Sequence, residues 1–321
     1  MPLATTARRS PWHQRMRFEL RHGVRVAAAV ASLSRHDSVQ LSTMAAPAFD
    51  AGAFASSLVT SAVGQRLEYR ASCSSTMTIA DEVLRAEGAT AAHGLVVLAE
   101  TQTAGIGRRG RAWQSASDGN LYFSLVWSPR AQGLAAMMPE MVRLNLAAGV
   151  AVVRACADAG VPSARIKWPN DVWAGEPARK LSGTILNFNG CDAAVLGVGI
   201  NVLQTDRPAV LANATSIASE LLAAGGAAPP SREAVLATFC SELERLMALS
   251  TEGVLDEYRA CDLLAGCSVR VHHRSREEDD PRDYEAIVLR VDPQGMLCVR
   301  RPDGTEQLLS GEEVSITPRG V

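Results

Sequence analysis

No Cys-x-x-C pair occurs in the chain, and its 7 cysteines are odd in number and scattered. That pattern excludes a disulfide framework and a cysteine zinc site, and it fits a reducing compartment such as the cytoplasm. No apolar run approaches the roughly 20 residues that span a bilayer. The nearest, residues 24–33, is short, Ala-rich and followed by Arg35 and His36. An excess of charge is also missing. Lys and Arg total 32 against 34 Asp and Glu, a net charge of −2, so no nucleic-acid surface over the whole protein is expected. No Gly-Lys-Ser/Thr closes a phosphate loop, and no dinucleotide fingerprint opens a helix after a strand. With 47% hydrophobic residues over 321 positions, one large domain and a smaller one can each bury a core.

Residues 1–55 differ from the rest. Arg8, Arg9, Arg15, Arg17, Arg21, Arg25 and Arg35 face only Glu19 and Asp37 before residue 45, in an Ala- and Ser-rich setting with little periodicity. Three readings stand: a disordered extension preceding a true start near Met44, an organellar transit peptide, or a DNA-binding arm. The last lacks the two amphipathic helices joined by a short turn that the reading needs.

From Leu67 the pattern is globular. Strands are expected over 66–71, 94–99 and 120–127, and a helix over 78–87 with Ser75 or Thr76 as N-cap. A long helix follows over 137–159, stopped by Gly160 and Pro162. Short strands flank a Pro-Asn turn at 165–168 and 171–173, and 181–189 with 193–202 form a strand pair joined at Asn189-Gly190. Helices are expected over 216–224 and 232–248, extended by 255–260. After a boundary at 260–266, strands at 268–273, 285–291, 296–301 and 306–310 predict a small β-barrel. The class is α+β with an all-β C-terminal domain, divided as 1–55, 56–262 and 263–321.

Residues 100–113 read ETQTAGIGRRGRAW. Gly105, Gly107 and Gly110 let backbone N–H groups approach an anion, and Arg108, Arg109 and Arg111 supply guanidinium forks. The residues alone leave two readings equal, an anion-binding loop and a solvated basic turn. Lys180, a lone lysine before an apolar strand, is in isolation a surface residue; its spacing from Gly183 favours a functional one. Asn170 and Asp171 serve either as turn formers after Pro169 or, with Lys167 and Trp168 before them, as a polar edge of a ligand site. Gly197 and Gly199 alternate in a strand, so their bare face admits either a flat ligand or a tightly packed helix.

Order along the chain decides between these readings. Gln102–Arg111 resembles the Gly-Arg-Gly-Arg-x-Gly-Arg signature of biotin–protein ligases. RIKWPNDV at 165–172, KLSGTIL at 180–186, GVGINV at 197–202 and ATSIA at 214–218 follow as that family's later motifs do, and Ser74–Met77 aligns with its Ser-Thr-Asn element. The resemblance spans about 69–317. It implies a mixed β-sheet packed with helices, like class II aminoacyl-tRNA synthetases, plus an SH3-like C-terminal barrel. It implies that ATP activates biotin to biotinyl-5′-AMP, that Mg²⁺ accompanies the phosphates, and that biotin passes to a lysine of a biotin carboxyl carrier protein domain, as in acetyl-CoA carboxylase.

The same resemblance assigns residues. Lys180 and Arg108 are the catalytic pair. Biotin falls to Ser75, Thr76, Met77, Gln102, Ile106, Gly107, Arg108, Lys180 and Gly183; ATP and the adenylate to Gly105, Arg108, Arg109, Gly110, Arg111, Trp113, Lys167, Asn170, Asp171 and Asn201. Metal ligands are left unassigned. Trp113 reads equally as an apolar cover over the adenylate or as a core aromatic. Two positions depart from the family pattern: Ile106 stands where arginine is usual, and Met77 where asparagine is common. The first removes a cation and predicts weaker retention of biotin or adenylate. No winged-helix repressor domain is evident, so no DNA binding is expected, and the chain is expected to act as a monomer or homodimer. A lipoate–protein ligase and a non-catalytic adenylate-binding regulator are the competing readings.

Overall fold

The computed structural model describes residues 47–115, 119–128, 134–188, 192–205, 213–226, 231–273, 282–312 and 314–318. Most of the expected N-terminal extension, the Asn189-Gly190 turn and most of the charged loop at 274–283 lie outside the described residues.

Seven strands form one mixed sheet: β1 (Leu67–Cys73), β2 (Val96–Gln102), β3 (Leu121–Trp127), β4 (Arg165–Lys167), β5 (Asp171–Ala174), β6 (Arg179–Phe188) and β7 (Ala194–Ile200), in the order β1-β2-β3-β7-β6-β5-β4. Only β1 and β2 run parallel. The central strands β3 and β7 are buried at every residue, which is why they read as continuous apolar runs. Helices cover both faces. Across the larger one lies α4 (Leu134–Asp158), packed against α6 (Arg232–Met247) and α7 (Thr251–Arg259). On the other face α2 (Thr76–Glu87) and the short α3 (Ala89–Ala92) close a second cluster of Met77, Ala80, Leu95, Val97, Val126 and Val195.

The C-terminal part, expected as a barrel, is a five-stranded antiparallel sheet of β8 (Ser268–His273), β9 (Tyr284–Val291), β10 (Leu297–Arg300), β11 (Glu306–Leu309) and β12 (Val314–Pro318), ordered β11-β10-β9-β8-β12. β12 lies beyond the last strand expected from sequence and ends in a proline. It is held by pairing along β8, from Val314 opposite His273 to Pro318 opposite Val269.

The expected boundary near residue 55 needs correction. Asp50 caps a helix, α1 (Ala51–Ser57), accepting hydrogen bonds from the N–H groups of Gly52 and Ala53. Phe49 and Phe54 enter the core. One apolar residue per turn leaves too little periodicity to announce so short a helix.

Candidate functional site

Five segments meet at a cavity of about 240 Å³ on one end of the large sheet: the start of α2, the Gly–Arg loop, the β4–β5 turn, the facing stretch of β6 and β7, and β12. Helix α2 starts at Thr76, two residues earlier than expected. Ser75 holds the N-cap position, yet its side chain accepts no capping bond; its buried Oγ has no partner and lines the cavity. A buried hydroxyl without a partner costs free energy unless a ligand satisfies it. Thr76 is fully engaged. Its N–H donates to Gln102 Oε1 at 2.9 Å and its hydroxyl pairs with Ser124 at 2.8 Å. Gln102 donates in turn to Ser115 Oγ at 3.1 Å, so the amide that faces the cavity is fixed in orientation.

The Gly–Arg loop is a small hairpin. Gly107 N–H donates to the Arg111 carbonyl at 2.8 Å, Trp113 N–H donates to the Gly105 carbonyl at 2.9 Å, and Ile106 bridges to Ala112. At its tip Arg109 takes a left-handed conformation, φ 60°. The guanidinium groups are engaged by their own protein. Arg108 donates to Asn170 Oδ1 at 2.9 Å, to the Gly311 carbonyl at 2.8 Å and to the Glu312 carboxylate at 2.7 Å. Arg109 donates to the carbonyls of Gly311 and Val314, each at 2.5 Å. The loop is therefore moored to the C-terminal sheet.

Lys180 Nζ lies 2.8 Å from Asp171 Oδ1 and 5.2 Å from the centre of the Trp113 ring. Trp113 rests on the bare glycines. A Cβ on Gly199 would meet its ring at 2.3 Å, and one on Gly183 at 3.1 Å. The buried indole N–H has no partner. Gly197 answers differently: a Cβ there would meet Met77 Sδ at 2.8 Å. Helix packing thus accounts for Gly197, while at Gly199 the bare face is filled by the protein's own Trp113 ring. In the β4–β5 turn, Asn170 Nδ2 donates to the Thr184 carbonyl at 2.6 Å, and Trp168 is buried with its indole N–H on the Gly295 carbonyl at 3.0 Å. Burial holds the Lys167 ammonium below the usual lysine range, an effect that neighbouring Lys180 reinforces and Asp171 opposes.

Of the residues singled out from sequence, Gly105, Gly110 and Asn201 do not line the cavity. Gly105 leaves room for the Trp113 carbonyl, 2.7 Å from where its Cβ would stand. Asn201 donates to the Thr215 carbonyl at 2.9 Å, tying the end of β7 to the segment before α5 (Ile217–Ala223). Sequence reasoning missed Val314, Ser315 and Ile316 of β12, together with Phe123, Thr184, Ile185 and Val198. Thr184, Ile185 and Val198 fall inside the KLSGTIL and GVGINV runs without being singled out there, and no local motif marks Phe123 or the β12 residues. The β12 residues reach the wall only through tertiary packing.

A wall of paired cations and bare glycines beside a neutral polar pocket fits a protein that joins a carboxylic acid to a nucleotide. Comparison with known proteins makes this specific. Residues 69–202 match the model of the biotin/lipoate A/B protein ligase family. Over 245 residues the chain is 33% identical to the biotin–[acetyl-CoA-carboxylase] ligase of Mycobacterium tuberculosis, covering 74% of this chain and 85% of that one. Over 109 residues it is 40% identical to the bifunctional ligase/repressor BirA of Escherichia coli, spanning 33% of this chain and only 32% of that protein. The biotin protein ligase of Aquifex aeolicus, solved in complex with biotin and ATP, shares the fold: TM-score 0.60 at 23% identity, over 79% of this chain and 100% of that one. The chain belongs to the biotin–protein ligase family.

Proposed function

We propose that the chain uses ATP to activate biotin as biotinyl-5′-AMP and then transfers biotin to a lysine of a biotin carboxyl carrier domain of a biotin-dependent carboxylase. In the first step the biotin carboxylate attacks the α-phosphorus and the bond to pyrophosphate breaks. In the second, the acceptor amine attacks the acyl carbon and AMP leaves. The observation that carries the reading is the convergence on one cavity of Lys180, Asp171, the Gly–Arg hairpin and the unpartnered Ser75 hydroxyl.

The first step brings a carboxylate against a polyanion, so cations must offset the repulsion and stabilise the charge that develops. Lys180 is assigned to the carboxylate and α-phosphate, and Arg108 to the phosphates. For that, Arg108 exchanges its present acceptors for the ligand. Gln102, Thr76 and the Ser75 hydroxyl fit the neutral ureido ring, with Met77 and Gly183 beside it. Trp113 covers the adenylate from the glycine floor, limiting hydrolysis of the mixed anhydride. Among the described lining residues Asp171 is the carboxylate, and it is paired with Lys180; Mg²⁺ is assigned to the phosphates, with no protein ligand named. No DNA-binding role is assigned. Among the described residues no helix is long and apolar enough to cross a membrane.

The test is transfer of labelled biotin to a purified carrier domain in the presence of ATP. Tight biotinyl-5′-AMP binding without transfer would refute the enzymatic reading in favour of a regulator. Lys180→Ala is expected to abolish ATP–pyrophosphate exchange driven by biotin, and an unchanged rate would remove Lys180 from the chemistry.

A further inference from the structure

The cations on the cavity wall differ in how far they are already engaged. Lys180 is paired with Asp171 at 2.8 Å, Arg108 with Asn170, Gly311 and Glu312, and Arg109 with two carbonyls. Arg111 is exposed. Lys167 stands apart: among the described residues its partly buried ammonium makes no hydrogen bond or ion pair, and it lies over the Trp173 ring, 5.0 Å from the centroid. The residue before it is tied to the segment at 261–263 through both its backbone groups. Ile166 N–H donates to the Cys261 carbonyl at 2.7 Å, and Leu263 N–H to the Ile166 carbonyl at 2.8 Å. Two ammonium groups, Lys167 and Lys180, thus share the single carboxylate of Asp171, and this pair of lysines lacks one counter-charge. A partly buried ammonium without an ion-pair partner is poised for an anion. On the same wall, Ile106 supplies no charge where the family signature carries arginine, and its side chain is half exposed.

We propose that Lys167 receives the carboxylate of the acid substrate, taking over the charge that position 106 lacks. The proposal rests on the biotin-ligase reading and deepens it. When the carboxylate enters between Lys167 and Lys180, two positive and two negative groups meet, and the burial that disfavours the free ammonium strengthens the new pair. Binding a carboxylate this way is charge-dependent, so a neutral analogue escapes it.

The experiment is calorimetric titration of biotin, biotinamide and ATP, each separately, into the full chain and the variants Lys167→Gln, Lys167→Arg and Lys167→Gln/Ile106→Arg, with thermal melting of each. Lys167→Gln is expected to weaken biotin binding by about tenfold or more, the loss of one charge-assisted hydrogen bond. On this proposal Lys167 serves the acid and not, as the resemblance implies, ATP, whose phosphates fall to the arginines; biotinamide and ATP should therefore stay within about twofold of their original affinities, well short of the loss of one charge-assisted bond. Lys167→Arg should retain biotin affinity, and Ile106→Arg should recover most of what Lys167→Gln lost. The proposal is overturned if folded Lys167→Gln binds biotin like the unaltered chain, if it loses biotin and biotinamide equally, or if the loss falls on ATP. If the unaltered chain binds no biotin, the biotin-ligase reading falls and this proposal with it; the other failures overturn the proposal alone.

Discussion

Asp262 shows how one buried group acts beyond the site. It lies in the segment that pairs with β4, the strand that carries Lys167, and its Oδ1 accepts the Leu264 N–H at 2.9 Å. Burial pushes its carboxyl up to about 6, with that hydrogen bond opposing. The folded state therefore holds the proton more tightly than the unfolded chain. The contribution of this group to stability is greatest at acid pH, falls as pH rises from the ordinary value of 3.8 towards about 6, and stays reduced above it. Asp262→Asn keeps the acceptor oxygen and removes the charge. Melting curves should show a higher Tm than the unaltered protein at pH 7.5 and little difference at pH 4.5; an equal shift at both would disprove the assignment. The residue scale was also where sequence reasoning worked best for the site. Lys180, Gln102 and Asp171 were legible because each belongs to a short run whose order carries the information. Ser75 was legible as an N-cap and is one by backbone position, but its hydroxyl turned to the cavity, which no local rule predicts.

Among the elements, β7 and the Gly–Arg hairpin must be considered together. Gly199 is bare because the Trp113 ring lies where a side chain would be, and the ring in turn stacks against Lys180. Gly199→Ala should displace Trp113, since overpacking by one methyl costs roughly 1–3 kcal/mol and backbone on one side cannot yield. The expected outcome is a folded protein of lower Tm whose bound adenylate dissociates faster, measured by chase with unlabelled biotin; an unchanged off-rate would show that Trp113 does not cover the ligand. From its residues alone the hairpin reads as an anion-binding loop or a solvated basic turn. What the composition could not show is that Arg108 and Arg109 find acceptors at Gly311, Glu312 and Val314, about 200 residues away in sequence.

The whole molecule is braced by Arg232, which is 4% exposed. It pairs with Glu100 at 2.5 Å and donates to the carbonyls of Pro47 at 2.6 Å and Asn120 at 3.3 Å. Glu100 also accepts the Phe49 N–H at 2.8 Å and the Tyr69 hydroxyl at 3.0 Å. Burial alone would raise the Glu100 carboxyl, but Arg232 and these donors outweigh it and hold it below the usual range. One network thereby fastens the segment before α1, the end of β2, the start of β3 and α6. Arg232→Ala leaves a buried carboxylate uncompensated and should cost about 3–5 kcal/mol, read by urea denaturation. A loss under about 1 kcal/mol, the range of surface pairs, would mean the network is solvent-screened.

The apolar runs at 94–99, 120–127 and 193–202 and the long Ala-rich helix predicted the central strands and the helical layer, because burial on both faces and helical periodicity are written locally. The ordered motifs pointed to the family and to residues that gather at the cavity for the same reason: each is a short run with its own chemistry. Tertiary structure alone decided the rest. It placed β12 on the cavity wall, brought 47–57 into the core, moored the Gly–Arg hairpin to the C-terminal sheet, and left Lys167 without an ion-pair partner beside Lys180 and Asp171. These are pairings between distant segments, whose energies depend on burial and on what stands opposite. A sequence states which residues carry charge, and only the packed chain states which charges are already spoken for.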